Sequence, residues 1–369
     1  MGEILVVGAG LSGAALARSL ADAGRRVLTI DERGYVGGNC YSRRDAETGV
    51  MVHVHGPHIF HTDNESVWDF IRRFGIFEPF VHRVKSIYRE RLFSMPINLA
   101  TINALFDRQM TPTEAEALVK SRTVTPAETP HNFEEQALAL IGPELYQAFF
   151  YGYTKKQWGC EPRELPADIL KRLPLRFNDD DRYFAHRHQA IPRDGYTQLV
   201  SNMLNDSKIT IRLNQEYEPQ MESDFEHVFY TGALDRYFGY RYGRLPYRTL
   251  DFEWFTVEGD HQKHPVINYT EAEVPWTRIV EHKHFAYWEN HAVSLCHREY
   301  SRAAEGADLP YYPVRFAAAN PQLERYLQLA EQEGRVTFVG RLGRFRYLDM
   351  DQALAEALAA AELYLKREQ

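Results

Sequence analysis

The sequence predicts an α/β fold in which a parallel nucleotide-binding sheet is joined to an inserted helical section and to an antiparallel sheet. Three patterns predict it. Residues 4–39 read as strand, glycine-rich turn, helix, strand and acid, and residues 98–172 show no strand periodicity. Residues 247–300 alternate apolar and polar side chains, as antiparallel strands do. We therefore expect three structural parts.

The first pattern is the most specific of the three. An apolar run at residues 4–7 leads into the turn Gly8, Ala9, Gly10, Leu11, Ser12 and Gly13, and a helix and a second strand follow. Gly8 permits the tight turn, Gly10 lets the backbone approach a pyrophosphate, and Gly13 lets the helix pack on the strand. Asp31 and Glu32 end the second strand and can accept hydrogen bonds from ribose hydroxyls. An ordinary turn is the alternative, but the strand and helix around it favour dinucleotide binding.

A second glycine turn bears on the choice of dinucleotide. The first turn alone does not separate NAD from FAD. Arg33 and then Gly37, Gly38 and Asn39 follow the acid closely, and this turn of small residues can also lie against a diphosphate. The pattern favours a flavin, with a plain loop as the alternative.

Composition excludes several classes of function. The chain of 369 residues has 43 basic and 51 acidic residues, for a net charge of −8, which disfavours nucleic-acid binding. No apolar run approaches the roughly 18 residues of a membrane span, and the N-terminus opens directly into a strand without a signal peptide. Cys40, Cys160 and Cys296 are scattered, which predicts a reducing, cytoplasmic location without disulfides.

Histidines cluster after the nucleotide-binding unit. His53, His55, His58 and His61 lie within nine residues, and strand geometry would put the first two on one face. No cysteine or carboxylate stands among them in ligand spacing, so we predict no metal and interpret them as structural or cofactor-adjacent residues.

The remaining elements are predicted in chain order from caps, periodicity and breakers. Helices are predicted at 65–74, 98–122, 133–141, 143–151, 163–173, 197–204, 321–333 and 351–366. Strands are predicted at 50–55, 84–93 (a pair turning near Arg89 and Glu90), 209–213, 227–232, 248–255, 266–269, 279–282, 292–296 and 336–341. The nucleotide-binding domain is then discontinuous (1–80, 190–242 and 318–369), with a helical domain (98–172) and an antiparallel sheet domain (81–97, 173–189 and 243–317).

Several longer strings resemble a known family. They are GAGLSGA with GGN, GPHIFHT, YGYTKKQWG, LPADILKRLP, INYTEAEVPWTRIVEHKHF, YYPV and GRLGRFRYLDM, and they run from one end of the chain to the other. On these strings the chain is identified as a member of the UDP-galactopyranose mutases, in their compact prokaryotic form.

The resemblance implies a Rossmann-like FAD-binding fold and a flavoenzyme that interconverts UDP-galactopyranose and UDP-galactofuranose without net redox change. In this family reduced FAD attacks the anomeric carbon through N5, UDP leaves, and the flavin-bound sugar recloses through a different hydroxyl. The product supplies galactofuranose for cell-surface glycans. The resemblance further implies a UDP-sugar substrate, possible acceptance of the N-acetylgalactosamine analogue, a homodimer, and an external reductant for the flavin.

Individual residues match the family's substrate site. Arg172 and Arg278 resemble the two arginines that meet the diphosphate charge as UDP leaves, and His61 resembles a flavin-facing histidine that could move hydroxyl protons. The remaining substrate-binding residues that the resemblance implies are His82, Phe149, Phe150, Tyr153, Thr154, Trp158, Tyr183, Asn268, Tyr312, Tyr347 and Asp349. Without the resemblance, structural ion pairs for the arginines and core packing for the aromatic residues would be the better interpretations.

The flavin side of the match is equally long. It covers Gly8, Ala9, Gly10, Leu11, Ser12, Gly13, Asp31, Glu32, Arg33, Gly38, Asn39, His58, Ile59, Arg341, Met350, Asp351, Gln352, Ala353 and Leu354. One departure is that the family commonly has Glu where this chain has Asp31, so either Asp31 or Glu32 holds the ribose. Two other functions stay open: a flavin oxidoreductase with the same fold, and a nucleotide-binding protein without catalysis.

Overall fold

A computed structural model describes residues 2–125, 129–172, 175–316 and 320–367, without the side chains of Lys171 and Arg172. Its strands are β1 (Ile4–Val7), β2 (Val27–Asp31), β3 (Ser42–Arg44), β4 (Met51–His53), β5 (Phe60–Thr62), β6 (Phe77–Pro79), β7 (Val84–Tyr88), β8 (Arg91–Met95), β9 (His188–Pro192), β10 (Ile209–Leu213), β11 (His227–Tyr230), β12 (Tyr247–Glu258), β13 (Val266–Tyr269), β14 (Arg278–Glu281), β15 (Val293–Ala303), β16 (Tyr312–Pro313) and β17 (Val336–Phe338).

The α-helices are α1 (Leu11–Asp22), α2 (Glu65–Ile71), α3 (Leu99–Phe106), α4 (Pro112–Arg122), α5 (Phe133–Tyr146), α6 (Gly152–Trp158), α7 (Gly195–Leu204), α8 (Leu234–Tyr237), α9 (Pro321–Gln332), α10 (Gly340–Gly343) and α11 (Met350–Arg367). A π-helical turn, Gln147–Tyr151, joins α5 to α6. Short 3₁₀ helices lie at Gly38–Cys40, Pro162–Glu164, Ala167–Arg172, Pro219–Asp224 and His282–Phe285.

The first sheet is parallel and has the strand order β10-β2-β1-β11-β17. Every residue of β1 and β2 is buried, as expected for central strands covered on both faces. The helices α1, α7 and α11 contribute to the hydrophobic core on one face, where Leu354, Ala357 and Ala361 of α11 are completely buried. The predicted Rossmann-like sheet is therefore confirmed, and its five strands come from three distant parts of the sequence.

The second sheet has seven strands in the order β16-β12-β15-β14-β13-β7-β8. All its neighbouring pairs are antiparallel except β13 with β7. The hairpin of β7 and β8 turns at Arg89 and Glu90, as predicted, and both residues have positive φ. There are two smaller sheets, β3-β4 and β5-β9-β6. Along the chain, β3 to β6 fall between β2 and β7, and β9 falls between β8 and β10.

The secondary structure differs from its prediction at several elements, two of which lie in the helical section. The helix predicted at 98–122 is two helices, because Asp107 adopts a left-handed conformation (φ 50°) and Thr111 then caps α4 through a capping box with Glu114. The helix predicted at 163–173 is two short 3₁₀ turns, since Pro166 interrupts the hydrogen-bond ladder. The strand predicted at 50–55 ends at His53. The domain boundaries stay a prediction.

Candidate active site

A cavity of about 1060 Å³ opens beside the glycine-rich turn at the carboxyl end of the parallel sheet. This is the edge where α/β proteins bind nucleotides. Of the predicted flavin residues, those that line it are Gly8, Gly10, Leu11, Ser12, Gly13, Asp31, Glu32, Arg33, Gly38, Asn39, His58, Arg341, Met350 and Ala353. The structure thus brings most of the predicted flavin residues around one space.

The two glycine turns lie against each other at the floor of this cavity. A Cβ atom on Gly13 would stand 1.8 Å from the carbonyl oxygen of Gly8, so helix and turn pack too closely for a side chain. A Cβ atom on Gly38 would stand 3.0 Å from the Cα of Gly10, and Gly38 has a φ of +56°. Both turns therefore present bare backbone to the cavity, which suits a diphosphate.

The acids at the end of β2 have separate partners. Asp31 accepts hydrogen bonds from the backbone N–H groups of Ala9 (2.8 Å) and Arg33 (2.9 Å), so it fixes the first glycine turn. Glu32 forms an ion pair with Arg236 at 2.7 Å. Each oxygen of Asp31 has a lone pair left for a ribose hydroxyl, since a carboxylate oxygen can accept two hydrogen bonds. The geometry favours Asp31 for the ribose.

The residues of this cavity fit a dinucleotide that carries a diphosphate. Arg33 donates from Nη2 to Asn39 (3.1 Å), while its Nη1 is buried and has no hydrogen-bond partner among the described residues. A buried guanidinium nitrogen without a partner is costly, and a phosphate oxygen would satisfy it. Arg341 on the opposite side donates to the carbonyl of Leu348 at 2.6 Å.

The other predicted flavin residues surround the cavity without lining it. Ala9, Ile59 and Leu354 are buried in the cores beside it. Asp351 accepts from the hydroxyl of Thr62 at 3.0 Å, and the side chain of Gln352 accepts from the backbone of Asp349 at 3.1 Å. The first three residues support the cavity by packing in the cores beside it, and the other two fix the start of α11, which borders it.

A second group of residues lies on one face of the seven-stranded sheet. The register places Ser86, Asn268, Arg278 and Glu299 side by side on the strands β7, β13, β14 and β15. Residues paired in this way share a face. The Oδ1 atom of Asn268 and the Oγ atom of Ser86 are buried and have no hydrogen-bond partner among the described residues. The row therefore offers polar groups that a ligand could satisfy.

Arg278 is held in this row by a carboxylate. Its Nε donates to Glu299 at 2.6 Å, and Nε2 of His297 lies 3.1 Å from the other oxygen of Glu299. Glu299 is completely buried. Burial would raise its pKa, but the positive charge of Arg278 and the contact with His297 together lower that pKa to about 2. Sequence reasoning missed Glu299, although its position opposite Arg278 in the register of β14 and β15 could have revealed it.

Aromatic residues from three segments gather around Arg278. The rings of Trp158, Tyr312 and Tyr347 lie with centroids 5.6–6.5 Å apart. Burial raises the pKa values of Tyr153, Tyr183 and Tyr312, and the charge of Arg278 opposes the rise in each case. Arg278 is thus within electrostatic range of all three hydroxyl groups.

The histidines divide into two groups. The pKa of His58 is lowered to about 4 and that of His82 to about 3, chiefly by burial, so both imidazoles are neutral near pH 7. Nδ1 of His82 is buried without a hydrogen-bond partner among the described residues, and its ring lies 5.5 Å from that of Tyr183. His61 stacks on Phe184 at 3.6 Å and its Nδ1 is 2.7 Å from that of His186, and it is not among the residues that line the cavity.

Four further residues of the predicted substrate site lie in the helical section, and their roles in binding stay predictions. Phe149 and Phe150 pack in the helical core against Phe93 and Phe133, and Thr154 is buried beside them on α6. Arg172 ends a 3₁₀ helix, but its side chain lies outside the described residues, so its role stays a prediction.

One group of side chains has the spacing of metal ligands. Asp260, Glu281 and His284 offer atoms within 4.8 Å of one another. Glu281 already accepts three backbone N–H groups from residues 261–263, and Lys283 pairs with Asp260 at 2.8 Å. These contacts show that the three side chains hold the loop at residues 261–263 in place.

Comparison with known proteins shows the family. Residues 148–347 match the family model of UDP-galactopyranose mutase, and residues 6–74 match a model of NAD(P)-binding Rossmann-like domains. The chain is 53% identical to a probable UDP-galactopyranose mutase of Klebsiella pneumoniae over 98% of its length and 94% of the relative's. The chain belongs to the UDP-galactopyranose mutase family. The resemblance inferred from the sequence is therefore confirmed.

The chain is also similar to a second curated enzyme and to a solved structure. The chain is 47% identical to a dTDP-fucopyranose mutase of Escherichia coli, with 99% of both chains covered. A crystal structure of a reduced UDP-galactopyranose mutase matches with a TM-score of 0.77 at 16% identity, covering 100% of this chain and 96% of that one, which bears on the fold alone. The chain is an enzyme of the UDP-galactopyranose mutase family with a Rossmann-like dinucleotide-binding domain. Within the described residues, no helix has the length and apolar character needed to cross a bilayer.

Proposed function

We propose that the protein is an FAD-dependent mutase that interconverts UDP-galactopyranose and UDP-galactofuranose. The observation that carries the proposal is Arg278, which is fixed by the buried carboxylate of Glu299 on the face where Trp158, Tyr312 and Tyr347 gather. A fixed guanidinium surrounded by aromatic rings suits a nucleoside diphosphate, since the rings can stack on the base and the cation can meet the phosphates.

Different residues of the chain would serve different steps of the reaction. Arg278 would neutralise the diphosphate as the bond to the anomeric carbon breaks, and Arg172 is proposed as its counterpart from the 3₁₀ helix. The hydroxyl groups of Tyr183, Tyr312 and Tyr347 would donate to phosphate oxygens. All three would hold UDP in place while the sugar reacts, so that the same nucleotide can recombine with the new ring.

Neutral histidines suit the proton transfers. Ring opening adds a proton to the ring oxygen, and closure removes one from the hydroxyl group that forms the new ring. His58 and His82 are uncharged near neutral pH because both are buried. His82 has a buried Nδ1 without a hydrogen-bond partner among the described residues and could bond a sugar hydroxyl. His61, stacked on Phe184, would act by supporting this region.

FAD is the cofactor that we propose for the cavity beside the glycine turns. Arg33, the two glycine turns and Asp31 would hold its diphosphate and ribose, and Arg341 and the start of α11 would bound the flavin half. When bound and reduced, FAD would supply the nucleophilic nitrogen that the proposed reaction needs, and no net redox change would follow because that nitrogen would leave again with its own electron pair.

A second candidate substrate has a specific basis, which is the 47% identity to a dTDP-fucopyranose mutase over the whole chain. The two substrates differ by a methyl group on the base, the 2′-hydroxyl of the ribose and an oxygen on the sugar. The N-acetylgalactosamine analogue of UDP-galactose is a third candidate. The same ring contraction would serve all three.

One experiment tests the reaction class and the substrate together. Photoreduced enzyme is incubated without an electron acceptor with UDP-galactofuranose, UDP-N-acetylgalactosamine or dTDP-fucose, and the products are separated by liquid chromatography. We expect UDP-galactopyranose from the first. Turnover that requires an acceptor would indicate an oxidoreductase instead, and UDP binding without turnover would indicate a non-catalytic protein.

Matched variants locate the chemistry. Arg278→Ala should lower kcat/KM by at least a hundred-fold, since the leaving diphosphate loses a charged partner in a water-poor site. Arg91→Ala is the control, because Arg91 lies on the same sheet but forms an exposed ion pair with Asp107. Equal activity of the two variants would contradict the role of Arg278.

The cellular setting is proposed on narrower grounds. Three free cysteines suit a reducing, cytoplasmic compartment, in which an external reductant would keep the flavin reduced. A homodimer is proposed from the family resemblance, and light scattering of the purified protein would measure it.

A further inference from the structure

Two elements carry most of the proposed nucleotide site. The helix α6 carries Tyr153, Thr154 and Trp158, while β13 and β14 carry Asn268 and Arg278. The loop that joins these two strands, residues 270–277, lies directly against α6. The position of this loop relative to α6 therefore sets the distance between the aromatic side of the site and its cation.

Lys156 joins these two elements. Its ammonium group donates to the backbone carbonyl oxygens of Tyr269 (2.7 Å), Glu271 (2.8 Å), Val274 (2.9 Å) and Trp276 (2.9 Å). An ammonium group has three protons, so four acceptors saturate it completely. The four acceptors are backbone carbonyl oxygens that surround the ammonium group. An exposed ion pair would instead join the ammonium group to a carboxylate.

Gly152 provides an independent contact one turn earlier on the same face of α6. A Cβ atom at Gly152 would lie 2.3 Å from the carbonyl oxygen of Thr270 and 2.8 Å from the backbone nitrogen of Ala272. Residues four apart lie above each other on a helix. Both ends of α6 thus contact the loop 270–277: Gly152 approaches it closely because it has no side chain, and Lys156 reaches it with a half-buried ammonium group.

A second cation fixes the end of α6 to the sheet. Arg248 of β12 donates from Nε to the carbonyl of Gln157 (3.1 Å) and from Nη2 to the carbonyl of Lys156 (3.3 Å). These carbonyls are among the last in α6 and have no partner within the helix. The helix is therefore held from both sides, and Lys156 supplies the hydrogen bonds that join it to the loop preceding Arg278.

We propose that Lys156 is a positioning residue for nucleotide binding, which fixes α6 against the loop 270–277 and so sets the spacing between Trp158 and Arg278. The inference rests on the proposed function, since it assumes a nucleoside diphosphate in that space. Lys156 itself does not touch the nucleotide, because its donors are all used by the loop. Its effect is on affinity and not on the chemical step.

The test compares Lys156→Met with Lys155→Met. The two lysines are neighbours on α6, but Lys155, whose side chain is 44% exposed, pairs with the carboxylate of Glu161 at 2.6 Å. The dissociation constant for UDP is measured by calorimetry on the flavin-loaded protein, together with flavin content, Tm, KM and kcat per bound flavin. We expect Lys156→Met to raise the UDP dissociation constant and KM at least ten-fold with kcat within two-fold, and Lys155→Met to match the parent protein.

Each outcome decides one question. If the parent protein does not bind UDP, the proposed function fails; if it binds and Lys156→Met binds equally well, only the present inference fails. Loss of flavin and kcat with an unchanged KM would show a purely structural role and would also overturn it. Should Lys156→Met not fold, Lys156→Arg decides the matter, because a planar guanidinium keeps the charge but cannot place its donors at one point. A ten-fold higher KM supports the proposal, and a native KM refutes it.

Discussion

Replacement of Glu299 by Gln removes the charge that holds Arg278 and keeps the size of the side chain. Burial raises the pKa of Glu299, yet Arg278 and His297 together lower it from 4.5 to about 2. One pKa unit corresponds to about 1.4 kcal/mol, so the ionised carboxylate stabilises the folded protein by roughly 3 kcal/mol at pH 7. We expect Glu299→Gln to lose free energy of unfolding of this order.

The dependence on pH follows from the same values. The pKa is lower in the folded than in the unfolded protein, so the stabilisation is complete above pH 4.5 and is lost as the pH falls towards 2. By pH 3.5 about 1.4 kcal/mol of it should be gone. The difference in free energy of unfolding between parent and variant should therefore shrink from about 3 kcal/mol at pH 7 to about 2 kcal/mol at pH 3.5.

Urea unfolding of both flavin-loaded proteins at the two pH values measures this difference, in which the carboxylates common to both proteins cancel. Glu253→Gln is the control, because Glu253 pairs with Arg298 on the opposite, exposed face of the same two strands. It should cost under about 1 kcal/mol. A difference for Glu299→Gln that is small, or that does not change with pH, would refute the account of a carboxylate stabilised by Arg278.

Three further predictions concern the rest of the molecule. Gly38→Ala should abolish flavin binding, since its Cβ would meet Gly10; Gly259→Ala has a similar positive φ but nothing within 4 Å, so it should keep its flavin, as absorbance spectra would show. Trp158→Ala should weaken UDP binding about ten-fold, by the loss of one stacking partner worth roughly 1–3 kcal/mol, while Trp254→Ala, half-exposed on the same sheet, should not; titration with UDP measures both. Burial raises the pKa values of Cys40 and Cys160 to about 11 and that of Cys296 to about 12, so iodoacetamide at pH 7 should modify the native protein slowly; rapid labelling seen by mass spectrometry would contradict this.

The parts of the fold that local chemistry determines were predictable. The glycine turn, the helix that follows it and the two flanking strands were confirmed, because the positive φ of Gly8 and the close packing of Gly13 on the turn require glycine at these positions. The region 98–122 was predicted as one helix although Thr111, Pro112 and Glu114 form a helix start signal within it; the break at Asp107, a residue of positive φ, separates α3 from α4 at that signal.

The candidate site was predictable only in part. Arg278 and the tyrosines came from the family resemblance, since charge and aromatic content alone do not choose among 43 basic residues. Glu299 and Lys156 were missed because their importance lies in partners distant in sequence: a strand register in one case, and four carbonyls from a loop more than a hundred residues away in the other. Such contacts form only when the fold brings separate segments together, so a local sequence pattern does not reveal them.

The parallel sheet has a consequence for synthesis of the chain. Its central strand β1 is made first, yet β17 and α11, which complete the sheet and cover α1, are made last. A nascent chain therefore exposes the apolar side of α1 until α11 has been made, and a chain that stops before residue 336 lacks the part of the cavity wall that α10 and α11 supply. Such truncated chains should fail to hold the proposed flavin and should be prone to aggregate.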